Sequence, residues 1–282
     1  MLHNIKITIL CDNIVEKSSL LAEHGFSVLI ETEKIKILFD TGQGLCLRHN
    51  AKVLNVNLTS IDKVVVSHAH YDHTGGIKEI LKKNPKIPIH AHPDIFNPKY
   101  KKSPNGKMNY IGIPKFLLKS KSSFNFVLNE GPFHLTKDIL LTGKIPRETA
   151  FERTNEDFYI KTDKGYIEDD LTDDQALVIN TNSGLVLILG CAHSGLINTL
   201  NYAVKLTGKN NFHLVLGGTH LKNANTQRIK KTAALLSSFQ IEKIVLSHCT
   251  GIQAFINLHH VLGDKVSIGK VGESFTVPTN RP

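Results

Sequence analysis

Apolar and polar positions alternate with period two, or fuse into solid β-branched runs, at IKITIL (5–10), FSVLIE (26–31) and IKILFD (35–40). Successive side chains of a strand point to opposite faces, so such runs mark strands with one or both faces buried. The last two are joined by a short polar turn, TEK, and read as a hairpin. Helical spacing follows from Gly42 to about Val56, and DKVVVSH then gives a buried strand. TGGIKEILKK reads as a helix and KIPIHAH as a further strand. From about 93 to 153 the pattern loosens. Regular alternation returns at ALVINT (176–181) and LVLILG (185–190), a second hairpin turning at Asn182–Gly184. A helix over about 195–207, the strand FHLVLGG (212–218), a helix over 225–238, the strand KIVLSH (243–248) and short strands at 265–268 and 274–277 follow. Both halves open with antiparallel strands and continue as strand–helix units. That order predicts an α/β fold: two mixed sheets with helices on their outer faces, an αβ/βα sandwich forming one domain over 1–282. No residue-level repeat relates the halves.

Composition bounds the partners. Hydrophobic residues make up 41% of the 282 positions, enough for a sizeable core. The formal charge of +9 comes almost entirely from lysine, since only five residues are arginine. Arginine is the preferred fork for reading nucleic acid, so this surface suits an anionic small-molecule substrate better than a sequence-specific nucleic-acid partner. Cys11, Cys46, Cys191 and Cys249 form no CxxC pair and fit the reduced thiols of a cytoplasmic protein. No apolar run approaches the roughly eighteen residues of a membrane span. MLHNIKITIL has neither the basic start nor the small-residue cleavage site of a signal peptide and reads as a first strand. No membrane partner is expected, and the oligomeric state is not encoded in any of these features. The loosened stretch is basic: no acidic residue lies between Asp94 and Glu130, whereas Lys99, Lys101, Lys102, Lys107, Lys115, Lys119 and Lys121 do. It is expected to be a lid-like insertion over a site, with a solvated surface loop as the alternative.

The densest chemistry sits in VVVSHAHYDHTGG, 64–76. Alternation at the end of a strand brings His68 and His70 to one side as the chain leaves the sheet. Asp72 and His73 follow on a turn and are expected to point away from that pair. One loop can thus offer two ligands to each of two neighbouring ions. Imidazole nitrogen and carboxylate oxygen suit zinc, manganese or iron better than magnesium or calcium. Competing signals are weak, since GQG at 42–44 is an incomplete dinucleotide fingerprint and neither a GxSxG elbow nor a Walker loop occurs.

SHAHYDHTGG resembles the HxHxDH signature of the metallo-β-lactamase superfamily, with ILFDTG and its Asp40, LILGCAHSG (187–195) and IVLSHCTG (244–251) as further landmarks. More narrowly, GKIPR, DDQAL, GCAHSG, GGTHL and SHCTG resemble the subgroup of dihydropterin-ribofuranosylaminobenzene phosphate synthase-like proteins. The resemblance implies a hydrolase using water activated by one or two divalent ions, most simply zinc. His68 and His70 would serve the first ion, Asp72, His73 and His248 the second. His193, at a tight turn after a strand, is the choice for the first ion's third ligand. Most members carry a bridging aspartate where Cys191 follows Gly190. Cys191 is expected to pack beneath the site, with a ligating thiolate as the alternative. His220 resembles a non-ligand proton donor, and Asp72 would also orient the nucleophile. Arg147, Asn13 and Asp174 are candidate substrate contacts, Asn13 with Asp12 and Asp174 with Asp173 also being candidates for orienting imidazoles. His90 and His92 are read as structural. A phosphorylated small molecule is the preferred substrate class, ahead of lactones, thioesters or β-lactams. A single-stranded nucleic-acid-binding protein is the alternative of another class.

Overall fold

The computed structural model describes residues 5–152 and 157–277; the end of the basic stretch at 153 and the first four residues lie outside the described part. Two seven-stranded mixed sheets face each other. The first runs, in spatial order, Ser274–Val277, Ile5–Cys11, Ser27–Glu31, Lys36–Phe39, Lys63–Val65, Ile89–Ala91 and Phe126–Leu128. Its first four strands are mutually antiparallel, and from Lys36–Phe39 onward the pairing is parallel. The second runs Val266–Ile268, Gln240–Ser247, Asn211–Gly218, Gly184–Leu189, Leu177–Thr181, Ile139–Leu141 and Phe133–Thr136. There the parallel strands come first and the antiparallel ones last.

The solid apolar runs are explained by burial on both faces. In Gly184–Leu189, Val186 and Ile188 pack between the sheets, while Leu185, Leu187 and Leu189 pack outward against the helices Leu196–Thr207, Thr226–Leu236 and Ile252–Leu262. Ile37 and Phe39 likewise point inward and Leu38 outward, toward Leu47–Val53 and Ile77–Leu81. A one-residue slip would exchange the two sets, so register is strongly specified. Each fully buried aliphatic side chain stabilises by roughly 1.5–3 kcal/mol. Helix ends follow local chemistry: Asn225 caps Thr226–Leu236 by accepting from the Arg228 amide at 2.8 Å.

The 93–153 stretch is divided among three sheets. Phe126–Leu128 joins the first and Phe133–Thr136 with Ile139–Leu141 joins the second. Only Lys99–Lys102 and Met108–Tyr110 stand apart, in a four-stranded antiparallel sheet with Phe158–Thr162 and Gly165–Glu168. This small sheet, with its second hairpin at 158–168, had no clear periodic signal. Its strand KYKK lacks alternation because Lys99 is itself buried, its ammonium 2.7 Å from Asp169 and 2.9 Å from Asp173. Among the described residues no helix is long and apolar enough to cross a membrane.

Candidate metal centre

The candidate residues gather where strands of both sheets end. Asp40 follows Lys36–Phe39, His68 and His70 follow Lys63–Val65, and Cys191 and His193 follow Gly184–Leu189. His220 and His248 follow Asn211–Gly218 and Gln240–Ser247. Asp40, Ala192, His220 and His248 all take left-handed backbone conformations, φ +49° to +56°. Such conformations cost of order 1–3 kcal/mol each outside glycine, so their concentration at one edge shows packing overriding local preference to turn these side chains inward.

His68, His70 and His193 form one group, with a ligand atom of each within 4.8 Å of the others. His68 Nε2 and His70 Nδ1 are 3.0 Å apart, and the His193 ring centroid lies 4.8 Å from that of His68 and 5.0 Å from that of His70. Burial, with neighbouring imidazoles and Lys99 adding positive charge, pushes His68 and His70 well below the ordinary imidazole range. Burial and the surrounding histidines do the same to His193. Burial thus favours the neutral form, which keeps a lone pair, at all three. Nε2 of His70 and both ring nitrogens of His193 are buried without a hydrogen-bond partner.

The loop is braced from behind. Asp40 accepts from the Ser67 amide and hydroxyl, each at 2.7 Å, and from His73 Nδ1 at 2.6 Å. Asp173 accepts from the amide of Ala69 at 2.7 Å, between the two histidines, and Gln175 donates to the carbonyl of Val66 at 2.8 Å. Asp40 thereby fixes the His73 ring, and Ser67 Oγ, 2.8 Å from His68 Nδ1, fixes the His68 ring, the usual service of partners behind metal-binding imidazoles.

Asp72 and His73 stay closer to the first pair than strand alternation predicts. The one-turn helix Tyr71–Thr74 curls the chain back, and the His73 ring centroid lies 4.2 Å from that of His68. His73 Nε2 is 3.3 Å from His248 Nε2 and 3.2 Å from Cys191 Sγ. Although burial opposes it, the Asp40 charge and hydrogen bond lift His73 to about 9. Asp72 Oδ2 lies 3.1 Å from His24 Nε2 and 3.3 Å from His248 Nε2. Burial would raise Asp72, but the hydrogen bonds from His24 and His248 pull it well below the carboxylate range. The Cys191 thiol is 3% exposed; it joins His68 and His73, His193 and His220, and His248 and Cys249 in three separate ligand-spaced groups, and it lines the cavity.

That cavity holds about 310 Å³ and is lined by His70, Asp72, His193, His220 and His248 below, with Lys101, Phe158, Lys222 and Asn223 around them. The His220 ring centroid is 4.3 Å from that of His193. The predicted substrate contacts fare differently. Asn13 reaches the cavity, but its Oδ1 is committed to His248 Nδ1 at 2.9 Å and to the Gly25 amide at 3.2 Å. Asp174 is buried and not part of the wall; it accepts from the Ser194 amide at 2.8 Å, and burial raises it to about 6. Arg147 is also absent from the wall and donates to the Asp170 carbonyl at 2.5 Å. His90 packs near Phe133, and His92 Nδ1 accepts from the Asp94 amide, both away from the cavity. Sequence reasoning missed His24, Phe158, Lys222 and Cys249 as site residues and singled out Lys101 only as one lysine of the basic lid. His24 lies on the loop before Ser27–Glu31 and Phe158 on a strand without a periodic signal, and only tertiary approach brings them here.

The donor set fits a divalent metal. Three imidazoles, two of them with orphaned nitrogens, converge beside a second group of imidazole, carboxylate and thiol, a chemistry suited to zinc and related ions.

Comparison with known proteins gives the same direction. The model of the metallo-beta-lactamase superfamily matches residues 21–154. A Methanocaldococcus jannaschii protein named 7,8-dihydropterin-6-methyl-4-(beta-D-ribofuranosyl)-aminobenzene-5'-phosphate synthase is 36% identical over 272 residues, covering 89% of this chain and 89% of its own. The crystal structure of a metal-dependent hydrolase of the beta-lactamase superfamily is similar with a TM-score of 0.85 at 26% identity, covering 97% of this chain and 99% of that one. A diphosphatase from the PhnP family shares the fold, with a TM-score of 0.55 at 13% identity over 98% of both chains.

Proposed function

The chain belongs to the metallo-beta-lactamase superfamily, and from that premise we propose that it is a metal-dependent hydrolase of a phosphorylated small molecule. The observation that carries the reading is the convergence of His68, His70 and His193, the last two with buried nitrogens lacking partners, beneath a cavity that also bears Lys101 and Lys222. In this reading those three imidazoles hold a first ion, and Asp72, His73 and His248 a second. Zinc is the favoured ion, with manganese and iron as alternatives. Such an ion supplies Lewis acidity and an acidified water nucleophile near neutral pH.

The chain's own residues do the rest. Asp72, kept ionised by His24 and His248, orients a water proton. His220 donates a proton to the leaving oxygen. Lys101 and Lys222 attract the anionic group and take the role first expected of Arg147. Phe158, its ring centroid 5.1 Å from that of His70 and 5.6 Å from that of His193, limits water above them. The small sheet carrying Lys101 and Phe158 is the lid. The four buried free thiols support a reducing, cytoplasmic setting. The phosphate in the name of the Methanocaldococcus jannaschii relative supports the substrate class. Its designation as a synthase favours a second reading, in which an organic acceptor replaces water.

Metal-reconstituted protein assayed against phosphomonoesters, phosphodiesters, lactones and cephalosporins tests this. Metal-dependent turnover of a phosphate-bearing substrate is expected, with its KM raised in Lys101→Ala and Lys222→Ala. Turnover of lactones or cephalosporins alone would transfer the site to carbonyl substrates. Consumption of a phosphate compound only when an organic acceptor is present would select the synthase-type reading. Salt-dependent retention on single-stranded RNA without any turnover would point to the nucleic-acid alternative.

A further inference from the structure

Outside the metal centre, a second pocket of about 220 Å³ lies at the start of the helix Ile252–Leu262. It shares only Asn13, Lys222 and His248 with the wall of the first cavity, so one molecule can reach from one space into the other. Its character is different. The remaining wall is mainly apolar, built from Ile14, Leu246, Ile252, Phe255 and Ile268. Leu246 belongs to the core behind the second sheet and Phe255 packs against that core. Ile14 and Ile252, by contrast, are left 37% and 61% exposed. Adjacent apolar side chains open to solvent around a concavity point to a ligand that covers them.

The pocket is preformed. The Ile14 amide donates to Asp12 Oδ1 at 3.1 Å, and its carbonyl accepts from the Val271 amide at 2.9 Å. Asp12 Oδ2 accepts from the His248 amide at 3.0 Å, which ties this wall to the strand end beside it. A Cβ on Gly251, at φ +78°, would lie 2.9 Å from Lys222 Cα and 3.0 Å from its Cβ. The stem of Lys222 is therefore held against the helix start, on the boundary between the two spaces. The polar groups of the pocket are already engaged or turned away. Thr250 Oγ1 accepts from the Thr219 amide at 3.2 Å and lies 3.0 Å from the Thr219 hydroxyl. Asn13 Oδ1 is taken by His248 and Gly25. The Ser247 hydroxyl points between the sheets, toward the ground that a Cβ on Gly269 would share with Ile9 and Val245. What the pocket offers a ligand is apolar contact, with one cation at its edge.

We propose that this pocket is a subsite for the aryl part of a substrate whose anionic group lies in the neighbouring cavity. The proposal rests on the phosphate reading above and narrows it to phosphates that carry a compact apolar ring. Pockets that enclose a whole ligand hold roughly 300–1,000 Å³, so this smaller one takes one end of a molecule. A ring fits it best, because it covers a wide apolar area with few rotatable bonds to immobilise and meets Phe255 as an aromatic partner. Lys222 then stands beside the link between ring and phosphate.

The test is calorimetric binding of 2-naphthylmethylphosphonate, whose carbon–phosphorus bond resists hydrolysis, to zinc-loaded protein, compared with methylphosphonate. The ring should tighten binding at least about tenfold. Ile14→Ser combined with Ile252→Ser should erase most of that gain and leave methylphosphonate affinity unchanged. Equal affinity for the two phosphonates in the wild-type protein would overturn the proposal. So would a double variant that keeps the preference, which would put the ring elsewhere, or one that loses both ligands alike. Ring-dependent binding in a protein that turns over no phosphate compound would retain the subsite and remove the phosphate reading. If the double variant fails to fold, the more exposed Ile252→Ser alone decides, with a smaller loss of the same preference expected.

Discussion

The two ends of the centre differ in how their imidazoles are held. At one end, His73 is fixed by Asp40 and His248 by Asn13, each through a ring nitrogen. Their other nitrogens meet Cys191, Asp72 and each other. At the other end, both nitrogens of His193 and Nε2 of His70 are buried with no partner. An unsatisfied buried polar group costs roughly 1–3 kcal/mol. The first of these ends is therefore ordered by the chain itself, whereas the second carries a deficit that an ion offsets. Preorganisation and a deficit that an ion would offset are divided between neighbouring imidazoles of one centre.

The comparison breaks most visibly if His220 proves to be a ligand, because it lies beside the unsatisfied end. His220→Ala should retain bound metal and lose turnover by about 100- to 10,000-fold, as removal of a general acid does. The loss should shrink for substrates with nitrophenolate leaving groups, which need little protonation. Metal lost along with turnover would add His220 to the coordinating set.

Stability of the metal-free protein sharpens the contrast. His73→Leu strands the fully buried Asp40 carboxylate and should lower stability by roughly 3 kcal/mol. His193→Leu removes two orphaned nitrogens at similar volume and should be neutral or stabilising. Chemical denaturation of both variants in chelator measures this, and equal destabilisation would erase the distinction.

A smaller effect separates the centre from an imidazole outside it. Burial, with a contribution from the Lys63 charge, pushes His90 down to about 4. A depressed folded-state pKa contributes stability that is present above the unfolded value near 6.5 and lost as pH falls toward 4. Screening by residual solvent brings the expected loss to roughly 1–2 kcal/mol over that window. His90→Leu should flatten the acid limb of the stability curve, and an unchanged limb would assign the acid sensitivity elsewhere.

Local spacing carried the histidine loop itself, whereas the placement of His73 depended on the one-turn helix Tyr71–Thr74, which curls it back toward His68. It also carried the strands, whose double-faced burial shows as unbroken apolar runs. What it could not carry was the destination of isolated polar groups. Arg147, Asn13 and Asp174 have the right types for substrate contact, yet backbone carbonyls, amides and His248 arriving from distant segments engage them. Lys99 was one of many lysines in a basic stretch until Asp169 and Asp173 closed on it from across the small sheet. The surroundings of Cys191 were equally hidden, because the imidazoles near its sulfur come largely from three other strand ends.

Metal content tests the division between the two ends most directly. Protein purified without chelators and reconstituted with zinc should bind one or two ions per chain. His193→Gln should bind one fewer, with the His73 and His248 end still occupied in the two-ion case. Wild-type protein that takes up no zinc, manganese or iron, or a His193→Gln variant with undiminished metal per chain, would contradict the assignment of the unsatisfied imidazoles as the primary metal position.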